Sequence, residues 1–104
     1  MHKSIQKETM KVKAESVYRV QEERILFTEL GDEGVIYDME KNDYFSLNET
    51  YCSIFLKIRK GLGMAGIVQE LVEEYAVDQA TCEKEVREVI QELMKRGFIH
   101  EVVA

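Results

Sequence analysis

The chain has 104 residues, a length typical of one domain with a single compact core. Its composition, 45% hydrophobic and 33% charged residues, is that of a globular protein and is too apolar for a disordered one. The formal net charge is −6, and residues 25–104 carry eight basic against sixteen acidic side chains. Such an acidic domain repels phosphate backbones, which disfavours nucleic acid as a partner.

The sequence also indicates where the protein works. No stretch approaches the roughly 20 apolar residues that span a bilayer, and the N-terminus lacks the continuous apolar core of a signal peptide. The two cysteines, Cys52 and Cys82, form no CxxC pair and are interpreted as small buried apolar side chains. We therefore expect a cytoplasmic protein with reduced thiols and no membrane partner.

The first 24 residues differ from the rest of the chain. They alternate charged and polar side chains with scattered apolar ones, and their balance is +2. This pattern predicts a mobile charged tail over residues 1–24, with at most a short ordered piece around Val17 to Val20. The folded domain is predicted to cover residues 25–104.

Three short strands follow in the sequence. They are rich in β-branched and aromatic residues, and the connections between them contain the residue types that form tight turns. Because the connections are so short, the strands can only form an antiparallel meander. The predicted strands are residues 25–30, 35–38 and 44–47, with turns at Gly31–Gly34 and at residues 39–42.

Three amphipathic helices come next, each with recognisable ends. Asn48 and Asp78 are good N-caps for the first and third helices, and Gly97 stands where a left-handed C-cap belongs. The apolar side chains of Met64 to Tyr75 form one stripe at helical spacing, which predicts the second helix. Residues 98–102 return to an extended pattern. We predict an α+β, winged-helix-like domain in which the three-stranded antiparallel meander is followed by three helices.

No catalytic residue, metal site or cofactor site is predicted. The only histidines, His2 and His100, lie near opposite ends of the chain and have no partner at the spacing of a catalytic or metal-binding motif. The glycines of Gly61-Leu62-Gly63 lie between two helices, which is the wrong context for a dinucleotide-binding loop. The sequence thus disfavours an enzyme.

A winged-helix DNA-binding or regulatory domain is an alternative, because the second and third helices have suitable lengths and a short connection. A recognition helix presents Arg, Lys, Asn or Gln to base edges near its start. Residues 78–85, the first two turns of the third helix, instead contain three acidic side chains and one lysine. This is the wrong sign of charge for the major groove.

Peptide binding is favoured by the third strand. Its second edge has no predicted partner, and an open edge invites an added strand. Phe45 and Leu47 are expected to point into the core, and Tyr44 and Ser46 to point the other way. The third helix, with Val89, Leu93 and Met94, could line a pocket beside this edge. A structural subunit that dimerises through the same edge is a further alternative.

Several segments resemble the PqqD-like family. Val35-Ile36-Tyr37-Asp38 and Asp43-Tyr44-Phe45-Ser46-Leu47-Asn48-Glu49-Thr50 are similar to that family's strand signature, and the second of these is fairly specific. Tyr75-Ala76-Val77-Asp78 resembles its step between the last two helices, and residues 93–99 (LMKRGFI) resemble its ending. Gly63 and Asn42 depart from the residues common in the family, but both are compatible with the local backbone.

The resemblance implies a recognition element for ribosomally made, post-translationally modified peptides. Such a protein binds the leader segment of a precursor peptide and delivers it to a modifying enzyme, a radical-SAM protein or a leader peptidase. The leader would pair with the third strand and lie against the third helix. Arg87, Ile90 and Met94 would line the pocket, or else Val89 and Arg96 from the opposite side of the helix; the first set is slightly favoured. The candidate peptide-binding residues are Asp43, Tyr44, Phe45, Ser46, Leu47, Val86, Arg87, Val89, Ile90, Leu93 and Met94.

Overall fold

The computed structural model describes residues 12–102, which form five strands and three helices. This order confirms the predicted α+β domain with a three-stranded antiparallel meander followed by three helices. The strands are β1 (Tyr18–Val20), β2 (Ile25–Leu30), β3 (Glu33–Asp38), β4 (Asp43–Leu47) and β5 (Ile99–Glu101), and the helices are α1 (Glu49–Arg59), α2 (Met64–Tyr75) and α3 (Gln79–Lys95).

The meander forms one sheet in the order β2-β3-β4, with every neighbour antiparallel. Leu30 pairs with Glu33 across a two-residue turn, so β3 begins two residues earlier than the sequence indicated. Gly31 in this turn has φ 66°, and Asn42, just before β4, has φ 54°. Both values lie in the left-handed region, which glycine and asparagine tolerate better than other residues. Asn42 therefore replaces glycine in this turn without disturbing the hairpin.

The helix ends follow the predicted capping pattern. The Asn48 side chain accepts a hydrogen bond of 2.9 Å from the backbone N–H of Tyr51, and Asp78 accepts one of 3.0 Å from the N–H of Thr81. Gly97, with φ 80°, follows the end of α3 in the left-handed conformation. These contacts fix where α1 and α3 begin and leave the N-terminus of α1 directly after the last residue of β4.

The core lies between the helices and the inner face of the sheet. Helix α1 packs against β3 and contacts both other helices, so it is the central layer of the domain. The side chains that are almost completely inaccessible are Ile36, Ile54, Phe55, Ile67, Val86, Ile90 and Leu93. Within residues 12–102, no helix is long and apolar enough to cross a membrane.

The short ordered piece predicted around Val17 to Val20 is strand β1, and Val12 and Ser16 before it are buried as well. Strand β1 pairs antiparallel with β5, and Tyr18 and Val20 are buried at 2% and 6% exposure. Upstream of it, the carbonyl of Ser16 accepts a hydrogen bond of 2.9 Å from the N–H of Met64, at the start of α2. Strand β1 has only three residues, too few to show a clear alternation of apolar and polar side chains, and its partner β5 lies about 80 residues further along the chain. The sequence therefore indicates an ordered piece here but not a strand. Residues 1–11, the rest of the predicted tail, lie outside the described residues.

Candidate functional site

The free edge of β4 is the central feature of the candidate site. Within the described part of the chain, β4 pairs with β3 alone. The backbone N–H of Tyr44 donates to Oδ1 of Asp43 at 2.9 Å, and it is therefore turned away from β3. Because N–H and C=O groups alternate between the two edges of an antiparallel strand, Tyr44 and Ser46 present theirs at the free edge. Residues 43, 45 and 47 point theirs at β3.

The side chains of β4 alternate as predicted. Leu47 is buried in the core and Phe45 is partly buried beside it, whereas Tyr44 is 70% exposed and Ser46 is exposed on the other face. A strand added at this edge would continue the same alternation, so that half of its side chains would lie next to Phe45.

Side chains from the first turn of α1 and from the end of α3 lie beside Phe45. We call Phe45 and these aromatic and charged side chains the wall. The Phe45 ring lies 5.9 Å from the Tyr51 ring in the first turn of α1 and 5.8 Å from the Phe98 ring. The guanidinium carbon of Arg96 lies 4.1 Å from the centre of the Phe45 ring, a cation–π contact. Nε of Arg96 also donates to Oε2 of Glu92 at 2.7 Å, which holds the guanidinium over the ring. We call the free edge of β4, together with Phe45, Tyr51, Glu92 and Arg96, the edge site; Phe98, at 2% exposure, supports the Phe45 ring from the core.

Burial and the charges of α3 both act on the Tyr51 hydroxyl in the edge site. Burial raises the pKa of the Tyr51 hydroxyl, the nearby Glu92 carboxylate raises it further, and Arg96 opposes them. An open cavity of about 500 Å³ lies against the C-terminal half of β4. It is lined by Leu30, Glu33, Gly34, Val35, Phe45, Ser46, Leu47, Asn48 and Tyr51. The site can therefore take an extended chain along the edge and an apolar side chain against the wall.

Four of the predicted helix residues do not line this surface. Val86, Ile90 and Leu93 are 0% exposed and Val89 is 5% exposed, so they are part of the core. Their spacing places them on the side of α3 that faces α1 and the sheet. Met94 is partly buried and packs against the same core. Val86, Val89, Ile90 and Leu93 thus lie in the core, and their role in peptide binding stays a prediction.

Arg87 lies on the other side of α3. It lines a separate cavity of about 420 Å³ between α2, α3 and the segment that precedes β1. This cavity is lined by Ala14, Met64, Ala65, Val68, Gln69, Val72, Glu73, Gln79, Glu83 and Arg87. Met94 is seven residues from Arg87 and so projects from the same side of the helix. Of the slightly favoured set, Arg87 and Met94 therefore lie on this side of the helix and Ile90 lies in the core, whereas Arg96 of the alternative set contacts Phe45 on β4.

Tyr51, Phe98 and Glu92 were not among the predicted site residues. Tyr51 belongs to the apolar pattern of α1, and only its position three residues after the N-cap Asn48 indicates that it lies beside the end of β4. Phe98 follows Gly97, whose left-handed backbone turns the chain back toward the sheet. Which side of α3 meets β4 depends on helix packing, and helical periodicity alone does not determine it.

The two cysteines lie in the core and away from the edge site. Both are free and buried, and burial raises the pKa of each thiol. A thiol whose pKa is raised in this way is a poor nucleophile at neutral pH. In the part of the chain that the structure describes, no group of three or more His, Cys, Asp or Glu side chains could hold a metal ion.

Comparisons with known proteins agree with this architecture. A family model described as coenzyme PQQ synthesis protein D (PqqD) matches residues 33–99. A solved structure of TbiB1 in complex with the TbiA(beta) leader peptide is similar, with a TM-score of 0.75 and 21% identity over 83% of this chain and 99% of that one. A structure of lasso peptide synthetase B1 complexed with the leader peptide has a TM-score of 0.73 and 23% identity over 80% of this chain and 96% of that one. At these identities the likeness shows a shared fold. No curated protein sequence matches the chain.

Proposed function

Because the chain belongs to the PqqD family, we propose that it is a non-catalytic adaptor that binds the leader segment of a ribosomally made precursor peptide. The leader adds as a strand at the free edge of β4 and presents the rest of the peptide to a modifying enzyme. The observation that carries this proposal is an edge of β4 that has no partner strand within residues 12–102 and lies next to a wall of aromatic side chains. Both similar solved structures are complexes with leader peptides, which supports it.

Backbone pairing alone is too weak to hold the leader. Tyr44 and Ser46 together have two donors and two acceptors at this edge, although the Tyr44 N–H must first release Oδ1 of Asp43. Each hydrogen bond contributes about 0.5–1.5 kcal/mol net. Four of them supply about 2–6 kcal/mol, whereas micromolar binding needs about 8 kcal/mol. Side chains of the leader must therefore supply the remainder against Phe45, Tyr51 and Arg96. The half-buried rings of this wall are where apolar burial would contribute most.

The adaptor acts by tethering. Holding the leader raises the effective concentration of the attached core peptide at the enzyme, without any chemistry by the adaptor itself. The enzyme is a radical-SAM protein or a leader peptidase, and we expect no turnover by this chain alone. We place the reaction in the cytoplasm, where precursor peptides are synthesised and where two free buried cysteines stay reduced.

A pair of substitutions at Ser46 tests the proposed pairing. Ser46→Pro removes an edge N–H, and proline is tolerated where the N–H faces away from the sheet. Ser46→Ala removes only a hydroxyl on the opposite face. In a fluorescence titration with the leader peptide, we expect micromolar or tighter binding by the parent, a change within about twofold for Ser46→Ala and at least tenfold weaker binding for Ser46→Pro.

Circular dichroism establishes that Ser46→Pro is folded. If it is not, a leader peptide that is N-methylated at alternate residues removes the complementary hydrogen bonds, which its own N–H groups donate to the carbonyls of Tyr44 and Ser46, without any change to the protein. Unchanged affinity for Ser46→Pro or for all N-methylated peptides would rule out strand addition at β4.

A further inference from the structure

Asp43, the first residue of β4, already occupies part of the free edge. Its Oδ1 accepts a hydrogen bond of 2.9 Å from the backbone N–H of Tyr44, which is one of the two donors that an added strand would use. The Asp43 side chain is exposed and lies where that strand would pass. A strand that adds at β4 must therefore displace this carboxylate.

The charge of Asp43 is not compensated inside the described part of the chain. Asp43 lies directly opposite Asp38 on β3, and like charges at such a position of an antiparallel pair destabilise the sheet. Arg24 neutralises Asp38 through an ion pair of 3.1 Å. Asp43, in contrast, forms no ion pair with any side chain of residues 12–102. A residue that opposes the stability of its own strand pair is expected where function requires it, which points to a cation supplied by the binding partner.

We propose that Asp43 is a specificity-determining residue of the edge site, and that it selects leaders with a lysine or arginine beside it. This inference rests on the proposed leader-binding function. The cation of the leader pairs with the Asp43 carboxylate and draws it away from the Tyr44 N–H, which then donates to a carbonyl of the leader. An acidic residue at the same position would be repelled, and a neutral one would leave the donor occupied. One contact thus links recognition of charge to opening of the edge.

The register of β4 also fixes the spacing between this cation and an apolar residue of the leader. Asp43 and Phe45 are two residues apart on one strand, so their side chains leave the same face of the sheet. In a strand added about 4.8 Å away, the two residues that face them are also two apart. The partly buried Phe45 ring favours an apolar neighbour. The leader segment at β4 therefore has a lysine or arginine two positions from an apolar residue, in an order set by the direction of the added strand.

Two matched substitutions isolate the charge of Asp43. Asp43→Asn keeps an oxygen that can accept the Tyr44 N–H but removes the charge. Glu29→Gln makes the same change at an exposed position of β2, the strand at the other edge of the sheet, and is the control. The probe is the synthetic leader peptide of the precursor encoded beside this chain, together with variants in which each lysine or arginine is replaced by glutamine, one at a time. Affinities are measured by fluorescence titration.

With the parent protein, we expect one glutamine-substituted leader to bind threefold to tenfold more weakly than the unmodified leader, because an ion pair is lost. Asp43→Asn should weaken binding of the unmodified leader by a similar factor and should bind the two leaders with affinities that differ by less than twofold. Glu29→Gln should behave like the parent. Raising the salt concentration should weaken leader binding by the parent more than by Asp43→Asn.

Unchanged leader affinity in Asp43→Asn overturns the proposal, as do losses from the two substitutions that simply add or a leader without lysine and arginine. If Asp43→Asn does not fold, the parent alone decides, since equal binding of all glutamine-substituted leaders also overturns the proposal. Ser46→Pro, measured in parallel, distinguishes the two possible failures. Loss of affinity in Ser46→Pro but not in Asp43→Asn would leave strand addition intact and exclude selection by Asp43. Unchanged affinity in both variants would contradict the proposed function itself.

Discussion

At the residue scale, Arg96 determines which side of α3 belongs to the edge site. Its guanidinium covers the Phe45 ring, and its pairing with Glu92 holds it there. Arg87, nine residues earlier, lines the cavity on the opposite side of the helix. Two arginines on one helix thus provide a matched comparison between the two sides.

We expect Arg96→Ala to weaken leader binding about threefold to tenfold, because the leader loses a planar cationic surface next to Phe45. A cation–π contact at an exposed site is worth about 0.5–1 kcal/mol, and packing of the arginine stem adds to it. Arg87→Ala should leave the affinity unchanged. Calorimetric titration of both variants with one leader peptide is the measurement, and the reverse ranking would place the peptide on the α2 side of the helix.

Asp38, the last residue of β3, forms an ion pair with Arg24, which directly precedes β2. Its carboxylate accepts two hydrogen bonds from Arg24, at 3.1 and 3.3 Å, and others from the N–H groups of Glu40 and Lys41. The Arg24 hydrogen bonds are the main reason why the pKa of Asp38 lies below its ordinary value. A carboxyl group with a lowered pKa stabilises the fold above its unfolded pKa of about 4, and this contribution is lost as the pH falls through the folded value.

Asp38→Asn is therefore expected to lower the urea midpoint at pH 7, because the amide keeps the shape of the side chain but loses its charge. The difference from the parent should shrink as the pH is lowered from 7 toward 2, since the parent carboxylate becomes protonated. Urea denaturation at several pH values measures this. A difference that stays constant over the whole range would mean that the ion pair does not contribute to stability.

At the scale of elements, the sequence predicts the type of those whose pattern is long, and for β1 it predicts only a short ordered piece. The meander and the stripe of α3 each extend over many residues, and the caps at Asn48 and Asp78 mark where two helices begin. The structure has all of them. Strand β1 has only three residues, and its partner lies at the other end of the chain. The stripe of α3 also shows which residues are apolar, but not which neighbour covers them. For this reason Val86 and Leu93 could be expected both in the core and in a pocket.

The importance of β1 for stability can be tested with two valines. Val20 is 6% exposed and Val17, three residues before it, is 38% exposed. Val20→Thr buries a hydroxyl in the core and should lower the free energy of unfolding by about 1–3 kcal/mol. Val17→Thr should change it by less than about 0.5 kcal/mol. Equal effects in urea denaturation would contradict the assignment of residues 12–24 to the folded unit.

At the scale of the whole molecule, β4 connects two surfaces that point in different directions. Its free edge, with the wall beside it, is the proposed site of the leader, and its Tyr44 side chain is exposed on the face of the sheet that points away from the helices. The three helices hold the inner face of the sheet through a continuous buried core. A sheet supported in this way presents its edge without a large rearrangement, which limits the entropic cost of binding an extended peptide.

The most direct test of the central claim is amide hydrogen exchange and chemical-shift mapping of the ¹⁵N-labelled protein with and without its leader peptide. We expect the N–H groups of Tyr44 and Ser46 to become protected from exchange on binding, and the largest shifts to occur there and at Tyr51 and Arg96. Residues of the second cavity, such as Gln69 and Arg87, should not change. Unchanged exchange at Tyr44 and Ser46, with shifts concentrated around Arg87, would show that the leader binds elsewhere.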